Sequence, residues 1–475
     1  MNDYLRYILY ELENSLGLVM LALILAVAVI AVIYLVFKKK HGKEKKFPWG
    51  KIVLSLILAG YLLIVVYATL LRGHSTFIRV YNLHLFRAWR EAWNNFSVLN
   101  WANVLLNVAL FVPLGGLLPL LWKKCRKWYV TLPIGFGLSL AIELVQLAFC
   151  LGSCDVDDLF TNTLGAVIGY FCIMAFLSLF NEKGHKARPC ITYGCIALVP
   201  ILAIGSIFIG YHVKTYGNLA KAPAYTKNTK GVSWTLECEL PSTNDTAAVY
   251  RTQIRSKSQC DAFANELAQN MDMTVDLVTY YQESAYYNMR DPSGYLTVNY
   301  QDSGYKFMIG SSDYELTWVE TDRKTIEDAL ARFPVDIPDA AEFHYEGDGW
   351  HCFTVHQYID GALMYDGTLC VRYASDGNVY SVDDYLCGYA YYSDVAILSP
   401  EEAYSQLKAG RFYDGEQFEY AKPTAITVSQ CVLDYQIDTK GFYQPVYIFD
   451  LKSPDGNYGY NVMIPAIKGT RAAET

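Results

Sequence analysis

Residues 143–165 read ELVQLAFCLGSCDVDDLFTNTLG: Glu143 and Gln146 lie in one apolar stretch, Asp155, Asp157 and Asp158 in a short link, and Asn162 just inside the next stretch. Carboxylates and amides beside hydrocarbon are costly unless something satisfies them, so a chain that keeps them there marks a place to look for function. The flanking stretches decide the fold class. Each runs to about 20 residues, enough for a helix to cross a bilayer core of roughly 30 Å.

Working outward, the sequence predicts six such spans, at 16–37, 52–71, 101–122, 129–151, 158–180 and 190–211. Lysine and arginine number 19 against 10 acidic residues up to His212, and 20 against 37 after it, so a net +9 membrane half precedes a net −17 half. With 53% hydrophobic and 18% charged residues, 475 residues do not read as a simple soluble enzyme. Basic residues cluster in alternate links: Lys38 to Lys40, Lys43, Lys45, Lys46 and Lys51; Lys123, Lys124, Arg126 and Lys127; Lys183, Lys186 and Arg188. The positive-inside rule makes those links cytoplasmic and puts the N-terminus, the aspartate link and everything after the sixth span outside. The first span lacks a basic n-region and is followed at once by lysines, which reads as a retained anchor. The expected fold is a membrane all-α unit of six transmembrane helices followed by an extracytoplasmic α+β domain with antiparallel sheets. Its parts are an anchor and basic link (1–50), a four-helix membrane domain (51–180), the sixth helix and linker (181–214), and the outer domain (215–475).

At 1.5 Å per residue, Asn103 and Asn107 fall within about 10 Å of the outer boundary, and Gln146 and Glu143 roughly 8 and 12 Å below it. Asn162 lies one turn into the fifth span, so five polar side chains on three helices are expected to face each other beneath the aspartates. A structural role competes for each. Asp157 or Asp158 can cap the fifth span, and the asparagines can serve as interhelical hydrogen-bond partners. Glu143 is hardest to explain that way. The link at 72–100 carries Arg72, Arg79, Arg87 and Arg90 among aromatics, which predicts an interfacial or re-entrant element whose guanidiniums hold an anion or meet the aspartates. Pro113, Gly115 and Gly116 predict a kink and close helix approach.

The ordered motifs Asn82-Leu83-His84-Leu85-Phe86, Asn103 to Asn107 leading into Phe111-Val112-Pro113-Leu114-Gly115, Glu143 with Gln146, and Asp155-Val156-Asp157-Asp158 with Asn162-Thr163-Leu164-Gly165 resemble the VanZ family over roughly 51–180. The resemblance implies a bacterial cytoplasmic-membrane protein associated with lowered susceptibility to glycopeptide antibiotics such as teicoplanin. The residues it carries over are Arg72, Asn82, Asn103, Asn107, Glu143, Gln146, Asp155, Asp157, Asp158 and Asn162; Arg87 joins them as a ligand-binding candidate from the link. His84 stands where the pattern has proline.

After residue 211, short Tyr-rich alternating runs separated by Asp-Gly and similar turns predict strands at 296–300, 306–309, 352–359, 368–373, 379–382, 432–437, 445–451 and 458–464. Helices are expected at 258–270, 324–332 and 400–409, the last opened by the capping box Ser399-Pro400-Glu401-Glu402. Six outer cysteines, Cys238, Cys260, Cys352, Cys370, Cys387 and Cys431, pair in fifteen ways or stay free. Cys352 and Cys370 lie almost symmetrically about Asp360-Gly361, so a cross-hairpin bridge and free thiols both fit. Tyr358-Ile359-Asp360-Gly361 with the Asp376-Gly377 turn and the 400–409 helix is similar to PepSY modules and to YycH and YycI outer domains, with room for two modules. That implies a protein- or envelope-facing binding role.

No Walker loop, His-Glu-x-x-His or Gly-x-Ser-x-Gly motif occurs, and Ser405 to Lys408 lacks the companions of a penicillin-binding motif. The sequence therefore favours a binding protein without cofactor, whose ligands are membrane lipids and a lipid-linked cell-wall precursor or glycopeptide, with a possible protein partner for the outer domain. The acidic second half argues against nucleic acid. The alternatives are an enzyme holding a divalent cation on Asp155, Asp157 and Asp158 against a lipid phosphate, and an envelope sensor or assembly protein.

Overall fold

The structure is a computed structural model that describes residues 34, 38, 48–71, 79–180, 187–252, 254–281, 283–302, 304–310 and 316–469. The expected first span, apart from Tyr34, lies outside these residues, as do Arg72 and Lys39 to Lys46. The chain forms two compact units, Met1–Thr215 and Tyr216–Thr475.

In the first unit, five helices are long and apolar enough to cross a membrane; a sixth is not seen among the described residues. Helix α1 (Trp49–Val66) continues as a π turn to Leu71. After it come strand β1 (Val80–Asn82), the short helix α2 (Arg87–Asn95) and α3 (Val98–Leu121). The chain closes with α4 (Trp128–Phe149), β2 (Ser153–Asp155), α5 (Val156–Leu179) and α6 (Ala187–Val213). Local chemistry sets the ends. Ser97 Oγ accepts the Asn100 amide at the start of α3, and Asp155 accepts the Asp157 amide at 2.8 Å to start α5. Because α3 and α4 are joined through the basic turn at Lys123–Arg126, the start of α3, the end of α4 and the start of α5 share the opposite end of the bundle.

Helices α3 and α5 pack backbone to backbone. A Cβ on Gly115 would overlap the Ala166 carbonyl oxygen, and one on Gly165 or Gly169 the carbonyl oxygens of Val108 or Val112. Small residues at such contacts admit the close approach on which apolar helices rely where no hydrophobic effect drives them together. The kink expected at Pro113 is less informative than this seam. Phe111, Leu114, Leu118 and Ile142 fill the space beside it with Leu58 and Val65 of α1, and Tyr61 donates to the Leu110 carbonyl at 2.7 Å.

The second unit is built from three successive runs of helix followed by antiparallel strands. Helix α7 (Lys257–Asn270) precedes β5 to β8 (Thr274–Tyr280, Ser284–Arg290, Gly294–Asn299, Tyr305–Ile309). Helix α8 (Arg323–Ala329) precedes β9 to β13 (Glu342–Gly347, Trp350–Asp360, Leu363–Tyr373, Val379–Asp384, Cys387–Ala396). Helices α9 (Pro400–Lys408) and α10 (Gln417–Ala421) precede β14 to β16 (Ala425–Ile437, Phe442–Lys452, Gly459–Pro465). Together with β3 (Ser233–Leu236) and β4 (Thr246–Arg251) the strands form one 14-stranded sheet. Its pairing is antiparallel, as expected, except where β3 runs parallel to β14 at one edge. One core gathers Leu267, Phe307, Ile326 and Phe353 beneath α7 and α8; a second gathers Leu407, Phe412, Tyr447 and Phe449 beneath α9 and α10.

Of the two cysteine alternatives, the structure has the bridge: Cys352 and Cys370 are directly opposed on β10 and β11 and joined. Closing that loop restricts the unfolded chain. Replacing both cysteines with serine is expected to cost about 3 kcal/mol, read as a lower urea midpoint for the purified full chain. An unchanged midpoint would mean that the bridge adds nothing.

Candidate functional site

The link after α1 and the aspartate link meet as a two-stranded parallel ribbon. Register pairs Val80 with Ser153, Tyr81 with Cys154 and Asn82 with Asp155. Asn82 Nδ2 donates to Asp155 Oδ1 at 2.9 Å, and Asn82 Oδ1 accepts the His84 amide at 3.0 Å. That second bond needs a backbone N–H at residue 84, which proline does not have; histidine there suits this turn rather than disturbing it.

Asp157 is 1% exposed and is neither the cap of its own helix nor an open ligand. It accepts the Phe86 amide and, at 2.6 Å, the Ala88 amide. Phe86 is the N-cap residue of α2, has a left-handed backbone and supplies no side-chain acceptor, so α5 caps α2 from across the fold. Asp155 is the true N-cap of α5, and its own amide donates to Glu143 Oε2 at 2.7 Å. Burial pushes the Asp155 carboxyl up from the usual range, opposed by the Asp157 amide, by Asn82 and by the Arg87 charge. Asp158 accepts Asn107 Nδ2 at 2.6 Å. One turn deeper, Asn162 donates to Ser139 Oγ at 3.0 Å, while Gln146 donates to the Thr69 carbonyl at 2.9 Å in the π turn after α1.

The structure thus brings Asn82, Asn107, Glu143, Asp155, Asp157, Asp158 and Asn162 together at one end of the bundle, with Gln146 at its edge toward α1. Asn103 does not join them. It is exposed, because Trp101 and Val104 take the inward positions of that turn. Arg87 pairs with Glu91 at 2.8 Å, one turn on in α2, and Arg72 lies outside the described residues. Asp155, Asp157 and Asp158, the alternative metal set, accept from separate donors: Asn82 and the Asp157 amide, the Phe86 and Ala88 amides, and Asn107. Among the described residues the one group with metal-ligand spacing is His344, Glu346 and Cys352, and Cys352 is in the disulfide. Sequence reasoning missed Ser139, although it sits four residues before Glu143 on the same helix face. It also missed the amides of Phe86 and Ala88, which no side-chain pattern signals.

Residues 52–177, from α1 almost to the end of α5, match the family model described as VanZ/LLP1. The membrane unit carries a VanZ/LLP1 domain. A curated relative, Protein VanZ of Enterococcus faecium, is 28% identical over 156 residues, which are 32% of this chain and 92% of that protein. The VanZ/LLP1 match leaves out α6 and the whole second unit. Two solved structures are similar to part of the chain at 10% identity. One, an uncharacterized protein from Eubacterium rectale, covers 49% of this chain and 87% of its own at a TM-score of 0.27. The other, the Bacillus megaterium YpeB C-terminal domain, covers 46% and 99% at a TM-score of 0.18. Neither score is high enough to define a shared fold.

Proposed function

We propose that the chain is a bacterial cytoplasmic-membrane protein of the cell envelope that lowers susceptibility to glycopeptides such as teicoplanin, through an outward polar site that holds a lipid or cell-wall precursor headgroup. The observation that carries this reading is the convergence of Asn107, Glu143, Asp155 and Asp158 at the end of the VanZ/LLP1 helices opposite the basic turn Lys123–Arg126. The positive-inside rule gives that basic turn to the cytoplasm and hence the polar end to the outside. The Cys352–Cys370 disulfide supports an oxidising, external compartment for the second unit. Binding of a protein partner by that unit is compatible with the reading but is not what carries it.

A susceptibility assay tests it with Glu143→Gln and Asp158→Asn, which replace the carboxyl group but keep shape. Asp157 is avoided because it holds α2 in place. Wild-type expression is expected to raise the teicoplanin concentration that stops growth, and both variants, at equal membrane abundance, to return it to that of a strain without the protein. Undiminished protection by both variants would exclude the site.

A further inference from the structure

We infer that the group taken by this site is a primary ammonium and not a phosphate, which rests on the headgroup reading above and narrows it. What the cluster presents is acceptors. Asp155 and Asp158 are half-buried at its mouth, with Glu143 beneath them at 3% exposure. Asp158 and Glu143 each have one protein donor and Asp155 has two, in every case on a single oxygen, whereas an ionised carboxylate has about four lone-pair sites. One turn deeper, Asn162, also 3% exposed, spends its amide nitrogen on Ser139, and its Oδ1 is buried without a partner among the described residues. Asn162 follows Asp158 by four residues on α5, and Ser139 precedes Glu143 by four on α4, so the bonded amide and hydroxyl lie beneath the carboxylates on facing sides of the two helices. Gln146 repeats the pattern, with its nitrogen used by Thr69 and its buried Oε1 unpartnered.

A phosphate placed there meets like charge and amide oxygens. An ammonium brings one positive charge and three N–H donors, which is what unpartnered acceptors need. The unpartnered buried donors nearby, the indole N–H groups of Trp89 and Trp101, belong instead to an aromatic cluster with Phe160, Phe96 and Phe208. Arg87 spreads its charge over Glu91 and Asp155. A divalent metal fits less well, because no three carboxylates of the cluster bring oxygens within 4.8 Å of one another and metal–oxygen bonds demand a tighter cage. The ammonium can come from an aminophospholipid headgroup or from a soluble amine; the chemistry is shared.

The full chain in nanodiscs of phosphatidylglycerol, alone or mixed with phosphatidylethanolamine or phosphatidylcholine, separates these. Native mass spectrometry is expected to find phosphatidylethanolamine retained over both others by about tenfold or more, since the trimethylammonium of phosphatidylcholine has charge but no N–H. Asp158→Asn and Glu143→Gln, each checked for a wild-type melting profile, should bring the preference to within about twofold. Stabilisation of the phosphatidylglycerol-only sample by free ethanolamine, lost in both variants, also upholds the ammonium and assigns it to a soluble ligand; lipid preference without that response assigns it to a headgroup. Equal retention of the three lipids with no response to ethanolamine, or a preference that neither variant alters, overturns the inference. If teicoplanin protection nevertheless depends on Glu143 and Asp158, the headgroup reading survives and only the ammonium falls; if protection is independent of both, the two fall together.

Discussion

Gly169→Val is expected to prevent the membrane unit from assembling, leaving little or no monodisperse protein after extraction and size-exclusion chromatography. The Cβ of any residue at 169 would overlap the Val112 carbonyl oxygen, and the nearest atoms are all backbone. A side chain in the way can change rotamer; a helix carbonyl cannot, so α3 and α5 must separate. Separation removes the contacts of Gly165 with Val108 and of Gly115 with Ala166 along the same seam, and the cost should reach about 3 kcal/mol or more. Gly165→Val should behave alike. Gly194→Val in α6 is the control, because a Cβ there meets nothing within 4 Å. Wild-type yield and profile for Gly169→Val would show that the helices do not pack as described.

Asp414→Ala should have a comparable effect on the second unit. Lys227 Nζ lies 2.7 Å from Asp414 and 2.9 Å from Glu419, with 4% and 0% of the Lys227 and Asp414 side chains exposed. Asp414 also accepts the Glu416 and Phe418 amides and the Tyr458 hydroxyl, the latter two at 2.9 Å. It therefore ties the coil before β3 to α10 and to the turn that leads into β16. Truncation leaves a buried ammonium short of its main counter-charge and several donors unmet, a loss of about 3–5 kcal/mol. The measurement is urea unfolding of the full chain in detergent, followed by the circular dichroism of the sheet. Lys227→Met combined with Asp414→Asn should recover part of the loss, because it removes the stranded charge while keeping an acceptor at 414. A loss below about 1 kcal/mol for Asp414→Ala, the range of exposed pairs, would refute the buried-pair account.

Elements governed by neighbours in sequence were legible in advance. The spans expected at 101–122, 129–151, 158–180 and 190–211 correspond to Val98–Leu121, Trp128–Phe149, Val156–Leu179 and Ala187–Val213. The Ser399 capping box marked the helix that runs Pro400–Lys408. Strand β13 (Cys387–Ala396) was not marked, because its glycine and mostly solvent-facing side chains give no clean alternation. The candidate cluster was legible as a set of residues on one end of the bundle, since depth along a helix follows from counting. Asn103 was misplaced because counting gives depth but not which neighbour a face meets.

The sequence by itself determined the membrane half, its five described spans, the helix and turn signals of the second half, and the polar residues that an apolar chain must account for. All of these depend on local composition, periodicity and capping. Only the tertiary structure decided that Asp157 caps α2 rather than facing a ligand, that Asn82 and Asp155 meet across a parallel ribbon, and that three glycines form the α3–α5 seam. It alone joined Lys227 to Asp414 across the second unit. Those contacts join residues from about 50 to nearly 190 positions apart, and such partners are chosen by how helices and strands pack, which no short window of sequence encodes. The aspartate link accordingly divides its work: Asp155 caps α5, Asp157 caps α2, and Asp158 accepts from Asn107 on α3.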